Sequence, residues 1–339
     1  MKVLITGGAG YIGSHVSRQL RERGVEVIVY DNLSSGHDWA VLDAHLIVGD
    51  LANHCLLERL MADHQFDAVL HFAAHIVVPE SVDNPLKYYA NNTTNTCGLL
   101  AICMKYGVKQ FVFSSTAAVY GIPDQVPVNE SAALAPINPY GASKMMSERM
   151  LFDVGYTGAL RYVSLRYFNV AGADPTARLG QASAEATHLI KVAAQVATGQ
   201  RNSMQIFGDD YPTPDGTCIR DYVHVEDLAA AHIQALDYLQ AGEPSAIFNC
   251  GYGHGYSVRE VIDTFNNQLP GAISVNIGPR RPGDPPELVA DNKKIREQLE
   301  WRPQYDNLSV IVRDALNWER RWQQRLPGTE TQGNRCAEP

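Results

Sequence analysis

Short apolar runs alternate with segments of helical periodicity over the first half of the chain. Six apolar runs are predicted as strands, at residues 2–6, 26–31, 46–50, 68–74, 110–115 and 161–168. Segments with apolar residues every three to four positions lie between them, and predicted helices include 53–64, 84–106 and 140–155. Strands that alternate with helices indicate a parallel sheet covered on both faces.

The regular alternation ends after Asn169, where loops lengthen and Pro and Gly become frequent. Turn-rich loops at 206–216 and 279–286 flank a predicted helix over 226–241. We therefore predict an α/β fold with a Rossmann-type doubly wound parallel sheet in residues 1–170 and a smaller, loop-rich C-terminal substrate domain in residues 171–327. Residues 328–339 are predicted to form a disordered tail.

Composition and charge exclude several classes of protein. The chain has 339 residues, with 45% hydrophobic and 19% charged residues, which is typical of a globular protein. A net charge of -9 argues against a nucleic-acid-binding surface. No apolar run approaches the ~20 residues of a membrane span, and the first residues lack the layout of a signal peptide. Six scattered cysteines without a C-x-x-C pair predict reduced thiols, no metal site and a cytoplasmic location.

Gly7, Gly10 and Gly13 follow the first strand and precede a segment of helical periodicity. Such a turn lets the backbone approach a pyrophosphate that sits on the helix N-terminus. Asp31 ends the second strand 18 residues after Gly13, close to the spacing expected of a carboxylate that binds the adenine ribose hydroxyls. The alternative is that Asp31 caps the turn that follows it.

Tyr140 and Lys144 lie four residues apart at the start of a predicted helix, so their side chains share one face. A neighbouring ammonium favours the phenolate form of a tyrosine. A phenolate could then remove the proton of a sugar hydroxyl while a hydride leaves the carbon that carries this hydroxyl. The pair alone is equally typical of an ordinary amphipathic turn. Ser114 and Thr116 end the fifth strand, where hydroxyls face the ligand crevice of an open sheet, and of the two we favour Thr116 as a ligand contact.

Arginines occur inside both long loops of the second half, which favours an anion-binding site. Arg220 lies in an apolar run, whereas Arg280 and Arg281 lie in a loop rich in Pro and Gly. For Arg280 a solvated surface position is an equally good interpretation.

Six motifs together resemble those of the UDP-glucose 4-epimerases, a family of extended short-chain dehydrogenases/reductases. The resemblance extends from Met1 to about Leu326, and the motifs are Thr6–Gly13, Asp31–Leu33, Asn138–Lys144, Arg166–Asn169, Arg220–Val225 and Arg281–Asp284. The position of Thr116 holds Ser in many members of the family, and Ile76 stands where some of them place a lysine near the cofactor.

The resemblance implies a cofactor, a substrate and a mechanism. It implies NAD bound by Gly7, Gly10, Tyr11, Ile12, Gly13, Asp31, Asn32, Asp50, Leu51, Phe72, Ala73, Asn91, Tyr140, Lys144 and Tyr167. It implies UDP-glucose and UDP-galactose bound by Thr116, Tyr140, Asn169, His188, Phe207, Arg220, Tyr222, Arg281, Asp284 and Leu288. Tyr140 is the implied acid–base at the sugar 4-hydroxyl, with Lys144 and Thr116 as the other catalytic residues. Lys144 is expected to lower the pKa of the phenol, and the 4-ketopyranose turns over before the hydride returns.

The resemblance also implies details of specificity and assembly. Leu288 matches a sugar-pocket gate that is Tyr in relatives restricted to glucose and galactose. Part of the chain near 218–242 is expected to rejoin the first domain. A homodimer is expected to form through helices 84–106 and 140–155.

Other reactions of related enzymes remain alternatives. An epimerase of UDP-GlcNAc and UDP-GalNAc differs in the sugar alone, and a UDP-sugar decarboxylase shares the cofactor. Dehydratases need an acidic pair directly after the Thr, where this chain has Ala117 and Ala118, so dehydration is disfavoured. A silent NAD-binding regulator is a further alternative, against which the intact Thr116, Tyr140 and Lys144 argue.

Overall fold

A computed structural model describes residues 1–183, 187–281 and 283–325. Its strands are β1 Lys2–Thr6, β2 Glu26–Asp31, β3 His45–Val48, β4 Ala68–His71, β5 Gln110–Ser114, β6 Arg161–Tyr167, β7 Asn169–Ala171, β8 Met204–Phe207, β9 Ile219–Arg220, β10 Tyr222–His224, β11 Ala246–Cys250, β12 Tyr256–Ser257, β13 Val275–Gly278 and β14 Glu287–Leu288. Its helices are α1 Tyr11–Glu22, α2 His54–His64, α3 Val78–Asp83, α4 Pro85–Tyr88, α5 Asn95–Lys105, α6 Pro139–Tyr156, α7 Leu189–Ala197, α8 Val225–Gln240, α9 Val258–Gln268, α10 Lys293–Gln298 and α11 Leu308–Arg325.

Seven parallel strands form the main sheet in the order β3-β2-β1-β4-β5-β6-β11. All six strands predicted from the apolar runs take part in it. The predicted doubly wound α/β fold is therefore confirmed. The carboxyl ends of parallel strands meet at one edge, so the residues that follow β1, β4, β5 and β6 lie at the same side of the sheet.

The core consists of two apolar layers, one on each face of this sheet. Val3 and Ile5 of β1 pack in the same cluster as residues of α1 and α8, whereas Leu4 packs with residues of α2 and α5. Alternate residues of a strand point to opposite faces. Because both faces are covered, the central strands are apolar at nearly every position, which is why they were recognisable in the sequence.

The predicted helix over 84–106 is divided into three parts. α4 leads into a π-helical turn over Tyr89–Thr94, and α5 follows it. Within the turn the Asn92 side chain accepts from the backbone N–H of His75 and donates to its carbonyl. π-helical turns inside helices are frequent at functional sites, and here the turn lets Asn92 bond to the segment that follows β4.

Part of the second half of the chain returns to the first sheet. α8 packs against α1, where Glu226 is hydrogen-bonded to His15 and forms an ion pair with Arg18. Burial opposes ionisation of Glu226, but the bonds from His15 and the charge of Arg18 lower its pKa to about 2. β11 then pairs with β6 in the main sheet. We propose that the returning segment predicted at 218–242 extends to the end of β11.

The smaller lobe is built from α7, α9 and α11 with three minor sheets. β7 pairs with β10, β8 pairs with β13, and β9 lies between β12 and β14. The predicted tail at 328–339 lies outside the described residues. In the described ranges, no helix has the length and apolar character needed to cross a membrane.

Candidate active site

The turn between β1 and α1 leaves the start of the helix open to an anion. Gly7 has a φ of 72°, and a Cβ there would lie 2.5 Å from the backbone N of Ala73. A Cβ on Gly13 would lie 2.4 Å from the carbonyl O of Gly7. α1 begins after Gly10, and no side chain caps its first N–H groups. Free N–H groups at a helix N-terminus bind phosphate, so the turn can hold a pyrophosphate.

Asp31 connects the glycine turn to the loop after β2. Its Oδ2 accepts from the N–H of Ala9 at 3.0 Å and its Oδ1 from the N–H of Leu33 at 2.8 Å. Burial raises the pKa of this carboxyl. Each oxygen keeps a second acceptor position, so the capping interpretation and ribose binding are compatible. Next to it, Asn32 donates to the Asp50 side chain at 2.6 Å.

Aromatic side chains lie at the ends of β4 and β6. Phe72 follows β4, and its ring centroid is 4.8 Å from that of His232 on α8. Tyr167 ends β6, and its hydroxyl accepts from Ser114 Oγ at 3.2 Å. These groups lie on the same edge as the glycine turn, because the Cα of Thr6 pairs with residue 71 in the parallel register.

The remaining predicted cofactor residues surround this edge. Tyr11 opens α1 and donates its hydroxyl to the Gly172 carbonyl at 2.7 Å, and Ile12 is half-buried beside it. Leu51 is buried after β3, and Asn91 lies in the π-helical turn before α5.

Tyr140 lies in the first turn of α6, close to the end of β5. The Asn138 side chain caps the helix by accepting from the N–H of Gly141 at 2.8 Å. A Cβ on Gly141 would lie 2.5 Å from the Ala118 carbonyl, so only glycine permits this approach of helix and loop. The approach brings the buried Tyr140 hydroxyl close to the side chain of Thr116.

Lys144 lies one turn further along α6 and is also buried. Its Nζ donates to the Ser114 carbonyl at 2.9 Å, and burial lowers its pKa to about 7. Burial raises the pKa of Tyr140 well above the usual value for a phenol, and Tyr167 adds to this, while the Thr116 hydrogen bond opposes it. The lowering of the phenol pKa by Lys144 stays a prediction for the assembled site, because desolvation is the largest influence on Tyr140 in the protein without its ligands.

Arg220 lies in β9, and Arg280 and Arg281 lie in the loop that precedes β14. Arg220 forms an ion pair with Asp284 at 3.1 Å. The guanidinium carbon of Arg281 lies 3.8 Å from the ring centroid of Phe207. Arg280 is bonded instead to an aspartate of the loop between β8 and β9. Two of the three predicted arginines therefore contact other predicted substrate residues, and Arg280 does not.

Short strands join this basic region to the end of β6. Asn169 and Tyr222 are partners in the parallel pair of β7 and β10, and Leu288 is the partner of Arg220 in β14 and β9. Leu288 packs against an apolar cluster that includes Ala117, the residue after Thr116.

His188 lies in the smaller lobe, directly before α7. Its Nδ1 lies 2.8 Å from Nε2 of Gln181, and burial lowers its pKa. A neutral imidazole can both donate and accept, which suits contact with a sugar or ribose hydroxyl.

Comparison with known proteins assigns the chain to a family. The family model for the NAD dependent epimerase/dehydratase family matches residues 3–251. The UDP-glucose 4-epimerase of Azospirillum brasilense is 56% identical over 326 residues, covering 96% of this chain and 94% of the relative. The chain belongs to the NAD-dependent epimerase/dehydratase family. The family predicted from the sequence motifs is thereby confirmed, and so is NAD dependence as a property of that family.

Solved structures of family members superpose closely on this one. The UDP-glucose 4-epimerase of Brucella ovis in complex with NAD is 43% identical, with a TM-score of 0.90 over 93% of this chain and 97% of its own. The UDP-Glc/GlcNAc 4-epimerase of Campylobacter jejuni is 49% identical, with a TM-score of 0.83 over 94% of this chain and 99% of its own.

The glycine turn fits the cofactor of this epimerase/dehydratase family. Because Gly7 and Gly13 have no Cβ, the turn packs closely against the backbone of Ala73 and the start of α1 packs closely against the turn. The uncapped start of α1 provides N–H donors for the pyrophosphate. The Asp31 carboxylate beside this turn is suited to a free ribose hydroxyl and would repel a 2′-phosphate.

Sequence reasoning missed a buried polar group behind these residues. Glu148 on α6 and Arg166 on β6 form an ion pair, and Ser115 donates to Glu148. The sequence singles out Arg166 only as the first residue of the motif Arg166–Asn169. The signal was available, because Glu148 follows Lys144 by four residues and continues the face that begins with Tyr140.

We expect the purified protein to retain NAD(H) rather than NADP(H), since residues 32–36 contain no Arg or Lys to bind a 2′-phosphate. Acid denaturation followed by chromatography of the released nucleotide measures this. In Gly13→Ala the added methyl group would meet the Gly7 carbonyl, so nucleotide retention should fall at least tenfold. Release of NADP(H), or full retention by Gly13→Ala, would show that the glycine turn is not the cofactor site.

Proposed function

We propose that the protein interconverts UDP-glucose and UDP-galactose by transient oxidation at C4 of the sugar, with NAD as its cofactor. The observation that carries this proposal is the grouping of side chains at the end of β5 and the start of α6. The Tyr140 phenol is buried beside Thr116, and Lys144, one turn away on the same helix, donates to the Ser114 carbonyl at 2.9 Å. The identity to UDP-glucose 4-epimerases over most of the chain supports the same reaction.

Tyr140 and Thr116 form a pair that can accept and return one proton. In this proposal a sugar 4-hydroxyl binds between the phenol and the Thr116 hydroxyl, and Tyr140 removes its proton. Bound NAD⁺ supplies the hydride acceptor at C4 and adds a positive charge near the phenol. Lys144 is held by the Ser114 carbonyl, so its charge stays on the same side of Tyr140 throughout. Because burial raises the phenol pKa in the free protein, deprotonation of Tyr140 is expected only in the fully assembled site.

The substrate is proposed to bind with its diphosphate at Arg220 and Arg281. Arg220 is already paired with Asp284, and Arg281 already covers one face of Phe207. A diphosphate offers bidentate acceptors to both guanidinium groups, and a uracil ring can stack on Phe207. The grip on UDP leaves the sugar free to turn, which epimerisation requires.

The apolar surroundings of Leu288 favour a second candidate, an epimerase that also accepts N-acetylated sugars. Leu288 is half-buried and packs in the cluster with Ala117, and the Campylobacter jejuni relative is named for both UDP-Glc and UDP-GlcNAc. Leucine is smaller than the tyrosine of the restricted relatives, so it leaves some room for an N-acetyl group. It is larger than a small residue such as serine, so that room is limited. We therefore propose glucose and galactose as the preferred sugars, with UDP-GlcNAc as a poorer substrate.

The protein is further proposed to form a homodimer through α4, α5 and α6. Leu86 is 76% exposed, and Phe152 and Tyr156 on α6 are 53% and 88% exposed. Large apolar side chains exposed along two neighbouring helices are typical of a subunit interface. The cytoplasmic location stays a prediction.

Tyr140→Phe is expected to lower kcat on the order of 10²–10⁴-fold, the range typical of losing an acid–base group. Binding of UDP, measured by calorimetry, should stay within about twofold, because the diphosphate contacts lie in the other lobe. Tyr238→Phe, which removes a phenol on α8 away from the site, is the control. A Tyr140→Phe enzyme with wild-type turnover would remove Tyr140 from the mechanism.

Phe152→Asp is expected to convert the dimer to a monomer of 37.3 kDa, because the new charge would be buried in the interface. Ile277→Asp is the matched control, since Ile277 has a similar exposure of 56% on β13. Light scattering after size-exclusion chromatography measures both masses. A dimer that survives Phe152→Asp would place the interface elsewhere.

Leu288→Tyr is expected to increase the preference for UDP-galactose over UDP-GalNAc, since the larger ring crowds the substituent at C2. Exclusion by shape alone is worth ~1–3 kcal/mol, or roughly 10–200-fold in the ratio of kcat/KM values. Kinetics with both sugar pairs in wild type and variant measure the ratio. An unchanged ratio would mean that Leu288 does not line the sugar pocket.

A further inference from the structure

A buried ion pair lies directly behind the proposed catalytic residues. Glu148 and Arg166 are 4% and 3% exposed, and Arg166 Nη2 is 2.6 Å from Glu148 Oε2. A second contact joins Arg166 Nε to Oε1 at 3.0 Å. Burying two charges costs about as much as their attraction returns, so such a pair is weak evidence of a role in stability. Its position suggests another use.

Glu148 connects α6 to the end of β5. The Ser115 hydroxyl donates to Glu148, and the carbonyl of the preceding Ser114 accepts from Lys144 at 2.9 Å. The N–H of Ser115 also donates to the carbonyl of Leu165 on β6, at 2.9 Å. Two successive residues of the strand end are therefore held by side chains one turn apart on α6.

Thr116 is the next residue of this segment. Its side chain lies beside Tyr140, which is one turn before Lys144 on α6. The three residues at the strand end thus lie against three residues of α6 spaced by four positions. A displacement of Ser115 would move Thr116 relative to the phenol.

Arg166 holds Glu148 in this position from the other side. It also donates to the Tyr120 hydroxyl at 3.0 Å and to the Glu130 carbonyl at 3.2 Å. Tyr120 in turn donates to Asn249 of β11 at 2.6 Å. The carboxylate is therefore anchored to two strands of the main sheet.

Glu148 also supplies negative charge to Lys144. Burial lowers the pKa of Lys144 to about 7, and the charge of Glu148 opposes this. The other groups around Lys144 are the Ser114 carbonyl, the Phe113 ring at 4.8 Å, and His71 of β4. His71 is neutral near pH 7, because burial lowers its pKa to about 3.

We propose that Glu148 is a positioning residue of the reaction: it holds the end of β5 so that Thr116 lies beside Tyr140, and, one turn from Lys144 on α6, it supplies a negative charge to that side chain. The role as a positioning residue rests on the proposed function. The role in keeping Lys144 charged is a property of the protein itself.

Ser115→Ala tests the positioning role, because it removes the contact to the strand end and keeps both charges. We expect kcat to fall about tenfold with KM for UDP-galactose within about twofold. Ser147→Ala is the matched control: Ser147 is a fully buried neighbour on α6 whose hydroxyl lies within hydrogen-bond distance of the carbonyls of Asn92 and Ser143. If both variants lose activity equally, the contact from Ser115 to Glu148 has only a structural role.

Glu148→Gln tests the charge role. NMR titration of protein labelled at lysine Cε, with Lys144 assigned from Lys144→Met, gives the ionisation midpoint of Lys144. Loss of the carboxylate should lower that midpoint by about one pH unit, whereas Ser115→Ala should leave it unchanged. Since Lys144 then loses its proton at lower pH, the alkaline limb of kcat should move to lower pH by the same amount. An unchanged midpoint would overturn the charge role.

The double variant Glu148→Gln/Arg166→Gln replaces the pair by neutral groups and keeps the titration possible if Glu148→Gln does not fold. Glu148→Asp keeps the carboxylate on a shorter side chain. A Lys144 midpoint equal to that of wild type in this variant would support the charge role further, and a lowered midpoint would show that the charge acts only from the position that the longer glutamate side chain reaches. If wild type epimerises no UDP-sugar, the proposed function fails, while the titration still decides the charge role.

Discussion

The contact between the end of β5 and the first turns of α6 is the constraint on which the site depends. Gly141 allows α6 to approach within a distance that no Cβ could tolerate, and Lys144 then reaches the Ser114 carbonyl. Both Tyr140 and Thr116 derive their mutual position from this contact. Without it, a phenol and a hydroxyl from segments 24 positions apart in the sequence would have no reason to meet.

Burial dominates the electrostatics of this region. Tyr140 and Lys144 are both withdrawn from water, which raises the pKa of the phenol and lowers that of the amine, because desolvation disfavours the charged form of each. The proposed deprotonation of Tyr140 therefore depends on the positive charge that bound NAD⁺ would bring to the site. Glu148 and Arg166 form a buried pair of opposite charges behind the groups whose protonation changes.

The substrate half of the site uses a different construction. Short two-residue and three-residue strands join Arg220, Tyr222 and Leu288 to the end of β6, so the smaller lobe is fastened to the main sheet by backbone pairing. Arg220 lies on β9 and is paired with Asp284, whereas Arg281 lies on a loop and packs over Phe207. The short strands form a rigid frame, while the arginine side chains could exchange their present partners for a ligand. Such a construction suits a UDP-sugar that is held through its UDP part while its sugar moves.

The sequence by itself determined the main sheet, the glycine turn and the candidate residues, because these depend on local pattern. Buried parallel strands are apolar throughout, and a tyrosine four residues before a lysine must share a helix face. Tertiary structure alone decided the rest. The strand β11, the π-helical turn before α5 and the pair of Glu148 with Arg166 all arise from contacts between residues far apart in the chain. The effect of burial on the pKa of Tyr140 has the same origin: spacing shows which charge is near, but only packing shows how much water has been removed.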